Sequence, residues 1–231
     1  MTRKRIGQIV AGIVVGILVT LIKLATGDRS SIFDMDFRHL DFNVESQRLV
    51  FSLALWIAFF VYWGIASRNQ APTKQSESWG STYFHQSVLG ASLLLLYLQI
   101  PGLTSWYIPQ RFHLAVWIGA IVQALSLLLA VWARRHLGRN WAAEVRIGVD
   151  HELVRTGPYR WVRHPIYTAM LGMFLGTAIA SSQYHALLGV ALLFVAYIRK
   201  TRLEEEILSR VFPTDYEAYR RSTWRLVPPV F

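Results

Sequence analysis

The 231-residue sequence predicts an all-α integral membrane protein with about six transmembrane helices, and three observations carry that expectation. Hydrophobic residues make up 53% of the chain and charged residues 16%, and the apolar residues come in long blocks rather than amphipathic stripes. Of the 24 Lys and Arg residues, 19 fall on one side of a six-span arrangement and five on the other. The last two apolar blocks are separated only by Ser181, Ser182 and Gln183, which makes them a tight helical hairpin.

A spanning helix needs about 20 predominantly apolar residues. Runs of that kind cover residues 6–24, 49–66, 83–100 and 112–133. The first follows Arg3, Lys4 and Arg5 and resembles a signal peptide, but no small-residue cleavage site follows it and Lys23 closes it, so it is expected to span. Residues 67–81, rich in Ser and Gln, read as a linker. Residues 134–163 leave the membrane as a polar, aromatic and basic loop, and the chain re-enters at His164-Pro165. Proline suits a helix start because its missing N–H is an orphan there in any case. The segment from Pro165 to Ile198 is too long for one crossing. Its two runs, 165–180 and 184–199, are each about 24 Å long at 1.5 Å per residue, so their outer ends lie at similar depth. Residues 200–225 are expected to form a soluble C-terminal helix, with Lys200/Glu204 and Arg202/Glu206 at ion-pair spacing. The pairs Gly12/Gly16 and Gly172/Gly176 mark close helix packing.

Lys and Arg accumulate on the cytoplasmic side of bilayers, so both termini and the loop 134–163 are expected to be cytoplasmic. The net charge of +10 then favours anionic lipid headgroups; nucleic acid is the poorer partner because no recognition motif accompanies the charge. The absence of cysteine excludes disulfides, thiolate metal sites and cysteine nucleophiles. Asp34 and Asp36 in the loop 25–48 lack further ligands and read as a solvated face. His113, His136 and His185 have no ligand-like spacing, so no metal is expected. The oligomeric state is not legible. Residues 112–231 form a C-terminal core, preceded by the transmembrane helices of 1–111.

Function concentrates at the ends of the hairpin. Taken singly, Arg160 and Arg163 are ordinary positive-inside anchors, Tyr159, Trp161 and Tyr167 an interfacial belt, and Glu204, Glu205 and Glu206 a solvated helix face. Folding the hairpin brings them together. Carboxylates, aromatic surfaces and helix-end amides at one membrane face suit a cationic cofactor such as S-adenosylmethionine. No Gly-x-Gly occurs anywhere, which removes a Rossmann-type nucleotide loop.

The chain here resembles the isoprenylcysteine carboxyl methyltransferases and the wider group of integral-membrane methyltransferases that includes phospholipid methyltransferases. The residues that carry the resemblance are His151, Leu153, Val154, Gly157 and Tyr159, then Arg163, His164, Pro165 and Tyr167, then Glu204 and Glu205, and finally Tyr216, Tyr219 and Pro228. It covers roughly residues 112–231. The resemblance implies an S-adenosylmethionine site lined by Glu144, His151, Leu153, Val154, Tyr159, His164, Pro165, Tyr167 and Glu204, with Glu205 adjacent. It also implies a charged acceptor side made by Arg163, Lys200 and Arg202. Lys200 stands where the prenylcysteine enzymes carry Arg, and Ala169 where the family carries Gly. The implied activity is transfer of a methyl group to a hydrophobic or lipidic acceptor dissolved in the bilayer, with no metal required. Membrane sterol and steroid reductases, which use NADPH, carry a similar Arg-His-Pro-x-Tyr segment and form the alternative.

Overall fold

The computed structural model describes residues 44–68, 73–76, 79–97, 113–138, 141, 146–148 and 153–228. The expected span 6–24, the Gly12/Gly16 pair, Asp34 and Asp36, and the candidate site residues Glu144 and His151 lie outside them. The chain divides into two compact units, residues 1–53 and 54–231. Of the first, residues 44–53 are described and are helical. The second holds the rest.

Among the described residues, six α-helices follow in chain order: α1 (Val44–Ala66), α2 (Trp79–Tyr97), α3 (His113–Leu137), α4 (Pro165–Ser181), α5 (Tyr184–Val211) and α6 (Pro213–Ser222). Leu114–Leu137 is long and apolar enough to cross a bilayer by itself, while Phe51–Ala66 and Pro165–Ser181 are shorter apolar helices. On α3, Leu114, Trp117, Ile121, Leu125, Leu128 and Trp132 recur at three- and four-residue spacing and all stay exposed. A continuous apolar stripe of that length is what a lipid-facing surface presents.

The hairpin forms as the polar break predicts. Ser182 takes a left-handed conformation, φ 53°, and donates its N–H to the Ile179 carbonyl, which closes α4; Gln183 then opens α5. The Gly172/Gly176 pair serves close packing as expected. A methyl group at Gly176 would lie 2.6 Å from the Gly119 carbonyl and one at Gly172 would lie 2.2 Å from Ser126 Oγ, so α4 sits backbone to backbone on α3. Around that contact Trp56, Phe59, Leu96, Ala130, Met173, Phe174, Leu193 and Tyr197 form the buried core. Trp56 satisfies its indole N–H on Thr177 Oγ1 at 3.1 Å.

Two expectations are corrected. The C-terminal helix does not begin at residue 200. Nothing in Arg199-Lys200-Thr201 interrupts the helical pattern, so α5 runs on for 28 residues to Val211. The break comes at Phe212-Pro213, where the proline ring pushes Phe212 out of the helical region (φ −125°, ψ 64°). Helix α6 ends at Ser222, and residues 223–228 are not helical. They run beside residues 161–164 instead: Trp224 donates to the Trp161 carbonyl, and the N–H groups of Arg163 and His164 donate to the carbonyls of Trp224 and Arg225. The second correction is a small antiparallel ribbon in segments read as linker and loop. Strand β1 (Thr73–Ser76) pairs with β2 (Arg146–Gly148), Thr73 opposite Gly148 and Ser76 opposite Arg146. Neither segment has the alternating pattern of a half-buried strand.

Arg134 closes the same end of the bundle. Its guanidinium donates to the Ala66 carbonyl at the end of α1 and to the Gly138 carbonyl at the end of α3, and lies 4.5 Å from the Trp141 ring centroid. A cation there meets helix-end carbonyls with no intrahelical partner. Thus the ends of α1 and α3 lie together, near the start of α4 where the polar residues collect.

Candidate active site

His164 caps α4 and Pro165 occupies its first turn. The buried imidazole lies between two carboxylates: Nδ1 is 3.3 Å from Glu204 Oε2 and Nε2 is 3.3 Å from Glu205 Oε1. A neutral imidazole has one N–H, so serving both acceptors requires the doubly protonated ring. Electrostatics agree. Burial alone would lower the His164 value, but the hydrogen bonds and charges of Glu204 and Glu205 raise it above the ordinary 6.5. Burial alone would likewise raise Glu204, yet the bond and charge from His164, with Lys200 and Tyr167, hold it below its ordinary 4.5. Glu205 is held lower for similar reasons, its bonds coming from His164, Arg225 and Arg163. The three groups form one ionised cluster.

The glutamates are placed differently. Glu204 accepts a hydrogen bond from the Tyr167 hydroxyl, and its side chain is 21% exposed. Each of its oxygens keeps a further lone pair beyond the contacts with Tyr167 and His164. Glu205, 6% exposed, is enclosed: Arg163 Nε reaches Oε1 at 2.9 Å and Arg225 NH2 reaches Oε2 at 2.8 Å. Arg163 also donates to the carbonyls of Arg220 and Thr223. Its guanidinium thereby joins α5 to the returning C-terminal segment.

Aromatic rings pack around Tyr167, the hydroxyl donor to Glu204. Tyr167 stacks against His164 with centroids 5.8 Å apart and against Tyr197 at 4.6 Å. Lys200 Nζ lies 5.8 Å from the Tyr167 centroid on a side chain that is itself buried. Tyr159 is buried with Ala133, Trp141 and Ile166, and Val154 and Tyr167 pack against that group. Burial raises the Tyr159 hydroxyl well above its usual range, and its backbone carbonyl accepts from the Tyr219 hydroxyl at 2.6 Å. Gly157 begins the turn that delivers Tyr159. Its φ is +59°, and a side chain there would strike the His136 ring at 2.4 Å.

Of the residues expected from sequence, Val154, Tyr159, His164, Pro165, Tyr167, Lys200, Glu204 and Glu205 therefore meet at one end of the bundle. Leu153 is half-buried just before them, and Arg202 is exposed. Sequence reasoning missed Arg225 and Trp141. Arg225 stands twenty positions after its partner Glu205, beyond any helical spacing. Trp141 carried no motif.

The comparisons fit this geometry. Residues 114–215 match the family model for phospholipid methyltransferase. Over 117 residues the chain is 36% identical to the nickel-cobalt-cadmium resistance protein NccN of Alcaligenes xylosoxydans xylosoxydans, covering 48% of this chain and 52% of that one. Over 188 residues it is 23% identical to protein-S-isoprenylcysteine O-methyltransferase of Saccharomyces cerevisiae, covering 78% of each. Over 117 residues it is 25% identical to the Dictyostelium discoideum protein of the same name, covering 49% of each. The chain spans about half the length, or less, of the first curated relatives it matches. Through its C-terminal half, the chain is therefore similar to the phospholipid methyltransferase family and to proteins named protein-S-isoprenylcysteine O-methyltransferase.

Proposed function

We propose that the protein is an S-adenosylmethionine-dependent methyltransferase acting on a hydrophobic or lipidic acceptor at the cytoplasmic membrane face. The observation that carries this reading is the meeting of the two hairpin ends. Tyr167 and His164 hold Glu204 ionised and orient it, and its side chain is partly exposed. An anionic group beside stacked rings suits a sulfonium nucleoside that also carries an ammonium and ribose hydroxyls. Glu204, Tyr167, His164 and Tyr159 are the residues that would hold it, with Leu153, Val154 and Pro165 shaping the surround and Glu205 behind. Glu144 and His151 join them on the family resemblance alone.

When bound, the cofactor supplies a methyl group on a good leaving group, so the protein's task is alignment and exclusion of water. Tyr167 and Tyr197 form the dry wall for that. Lys200, buried against Tyr167, supplies positive charge on the acceptor side, and Arg202 lies exposed two residues beyond. Arg163 acts through Glu205 as a positioning residue. The decisive measurement is ligand binding to purified protein in lipid. S-adenosylmethionine or S-adenosylhomocysteine should bind and NADPH should not; the reverse would establish the reductase alternative.

The cytoplasmic placement is supported by the basic-residue asymmetry and by the ribbon that joins residues 73–76 to 146–148. Because the chain has no cysteine, single cysteines at Gln75 and Asn140 should be labelled only from the cytosol and one at Gln110 from outside. External labelling at Asn140 in intact cells would overturn the orientation.

A further inference from the structure

A histidine within an apolar helix is costly unless something uses it, because its nitrogens leave water with nothing to bond. His85 lies on α2, seven residues into the helix. It is only 9% exposed. Among the described residues neither ring nitrogen has a hydrogen-bond partner, and its ring contact is with Tyr197, centroids 5.5 Å apart. Tyr197 stacks in turn on Tyr167, which bonds Glu204 and stacks on His164. The two histidines thus stand at opposite ends of one row of rings. His164 is committed to the glutamates, whereas His85 is committed to none of them. Of the charges that act on His85, Lys200 and Arg199 disfavour a positive ring and Glu204 favours one, and Arg199 lies 5.0 Å from the ring centroid of Phe84, the residue before it.

We propose that His85 takes the proton of the molecule being methylated, and that this molecule is a weakly acidic protic nucleophile, a thiol or phenol on an apolar body. The proposal rests on the methyltransferase reading. A carboxylate arrives ionised and gives an imidazole nothing to do; a protonated amine would meet Lys200 and Arg199 as like charges. Thiols and phenols, with ordinary values of about 8.5 and about 10, are protonated near neutrality. Their anions are the forms that Lys200 and Arg199 favour and that a base must generate. The step balances. A bond forms between the acceptor sulfur or oxygen and the methyl carbon, and the bond from that carbon to the sulfonium sulfur breaks. The electron pair of the broken bond stays on that sulfur, which becomes a neutral thioether. The acceptor's proton passes to a His85 ring nitrogen and then to water, and no oxidant or reductant is needed.

The test compares wild type with His85→Gln and His85→Asn in lipid nanodiscs, reading cofactor binding, transfer and acceptor ionisation separately. S-adenosylhomocysteine affinity should be unchanged. Transfer to hexanethiol should fall about a hundredfold, while transfer to 4-nitrothiophenol, already ionised in solution, should change little. Without cofactor, 4-nitrophenol bound to wild type should show the absorbance of its anion, and bound to either variant that of the neutral phenol. Equal losses with both thiols, an unchanged hexanethiol rate, or the same nitrophenol spectrum in all three proteins would overturn the proposal. Methylation of carboxylates alone by a wild type that binds S-adenosylmethionine would overturn it too while leaving the methyltransferase reading intact. Failure of wild type to bind the cofactor would bring down both.

Discussion

Glu204→Gln should weaken S-adenosylmethionine binding at least tenfold while leaving the protein folded. The substitution keeps the side-chain shape and the acceptor for the Tyr167 hydroxyl but removes the charge. A hydrogen bond to a charged group contributes about 1.5–3 kcal/mol, and about 1.4 kcal/mol is a factor of ten in affinity. Glu204 is the more exposed of the two glutamate side chains, at 21% against 6% for Glu205. His164→Ala and Tyr167→Ala should weaken binding as well, because each orients that carboxylate. Glu217→Gln, on the exposed surface of α6, should not. Titration calorimetry on protein in nanodiscs reads all four, and unchanged affinity in Glu204→Gln would remove this residue from the site.

The same cluster sets a pH window. His164 is raised above 6.5, so its contribution to the fold is complete below that value and is lost as pH rises through the higher folded value. Glu204 is depressed below 4.5, so its contribution is complete above 4.5 and is lost as pH falls through the lower folded value. Thermal stability and cofactor affinity should therefore be flat between about 4.5 and 6.5 and decline on both sides. A stability that keeps rising well above neutrality would contradict a charged His164.

The hairpin and one side of the site were legible because their signals are local. A polar triplet between two apolar runs marks a turn, and Gly157, Tyr159, His164, Pro165 and Tyr167 fall within eleven residues of one another. Glu204 and Glu205 could be placed opposite them once the two runs were seen to have equal length. What could not be read depends on long-range pairing. The β-ribbon joins segments some seventy residues apart with no alternating pattern in either, and Arg225 finds Glu205 only because residues 223–228 turn back after α6. The boundary at residue 200 was misplaced because the change from apolar to charged residues was read as a break. A change of solvent at the membrane surface does not interrupt backbone hydrogen bonding, whereas Pro213 does. His85 was overlooked because a single histidine in an apolar run looks like core until its ring neighbours are known.

Glu205→Ala should destabilise the fold by about 3–5 kcal/mol, the usual cost of removing one member of a buried ionic cluster and leaving the others unpaired. Three cationic groups meet on this carboxylate. Arg163 would keep its bonds to the carbonyls of Arg220 and Thr223, but Arg225 would lose both oxygens and His164 one of its two acceptors. The segment after α6 is held to the start of α4 through these groups, through the Thr168 hydroxyl donating to the Leu226 carbonyl, and through the buried Leu226 side chain. Arg225→Ala should therefore act in the same direction with a smaller effect, since its side chain is 21% exposed and the remaining cations still neutralise Glu205. Adding Arg225→Ala to Glu205→Ala should cost less than the sum of the two, because the shared interaction is lost only once. Thermal unfolding in nanodiscs, with limited proteolysis of residues 223–231, measures both the stability and the release of the C-terminal segment. If Glu205→Ala left the unfolding midpoint and proteolysis unchanged but abolished S-adenosylmethionine binding, Glu205 would be a direct ligand, and holding the C-terminal segment would fall to Arg163 and the backbone pairing alone.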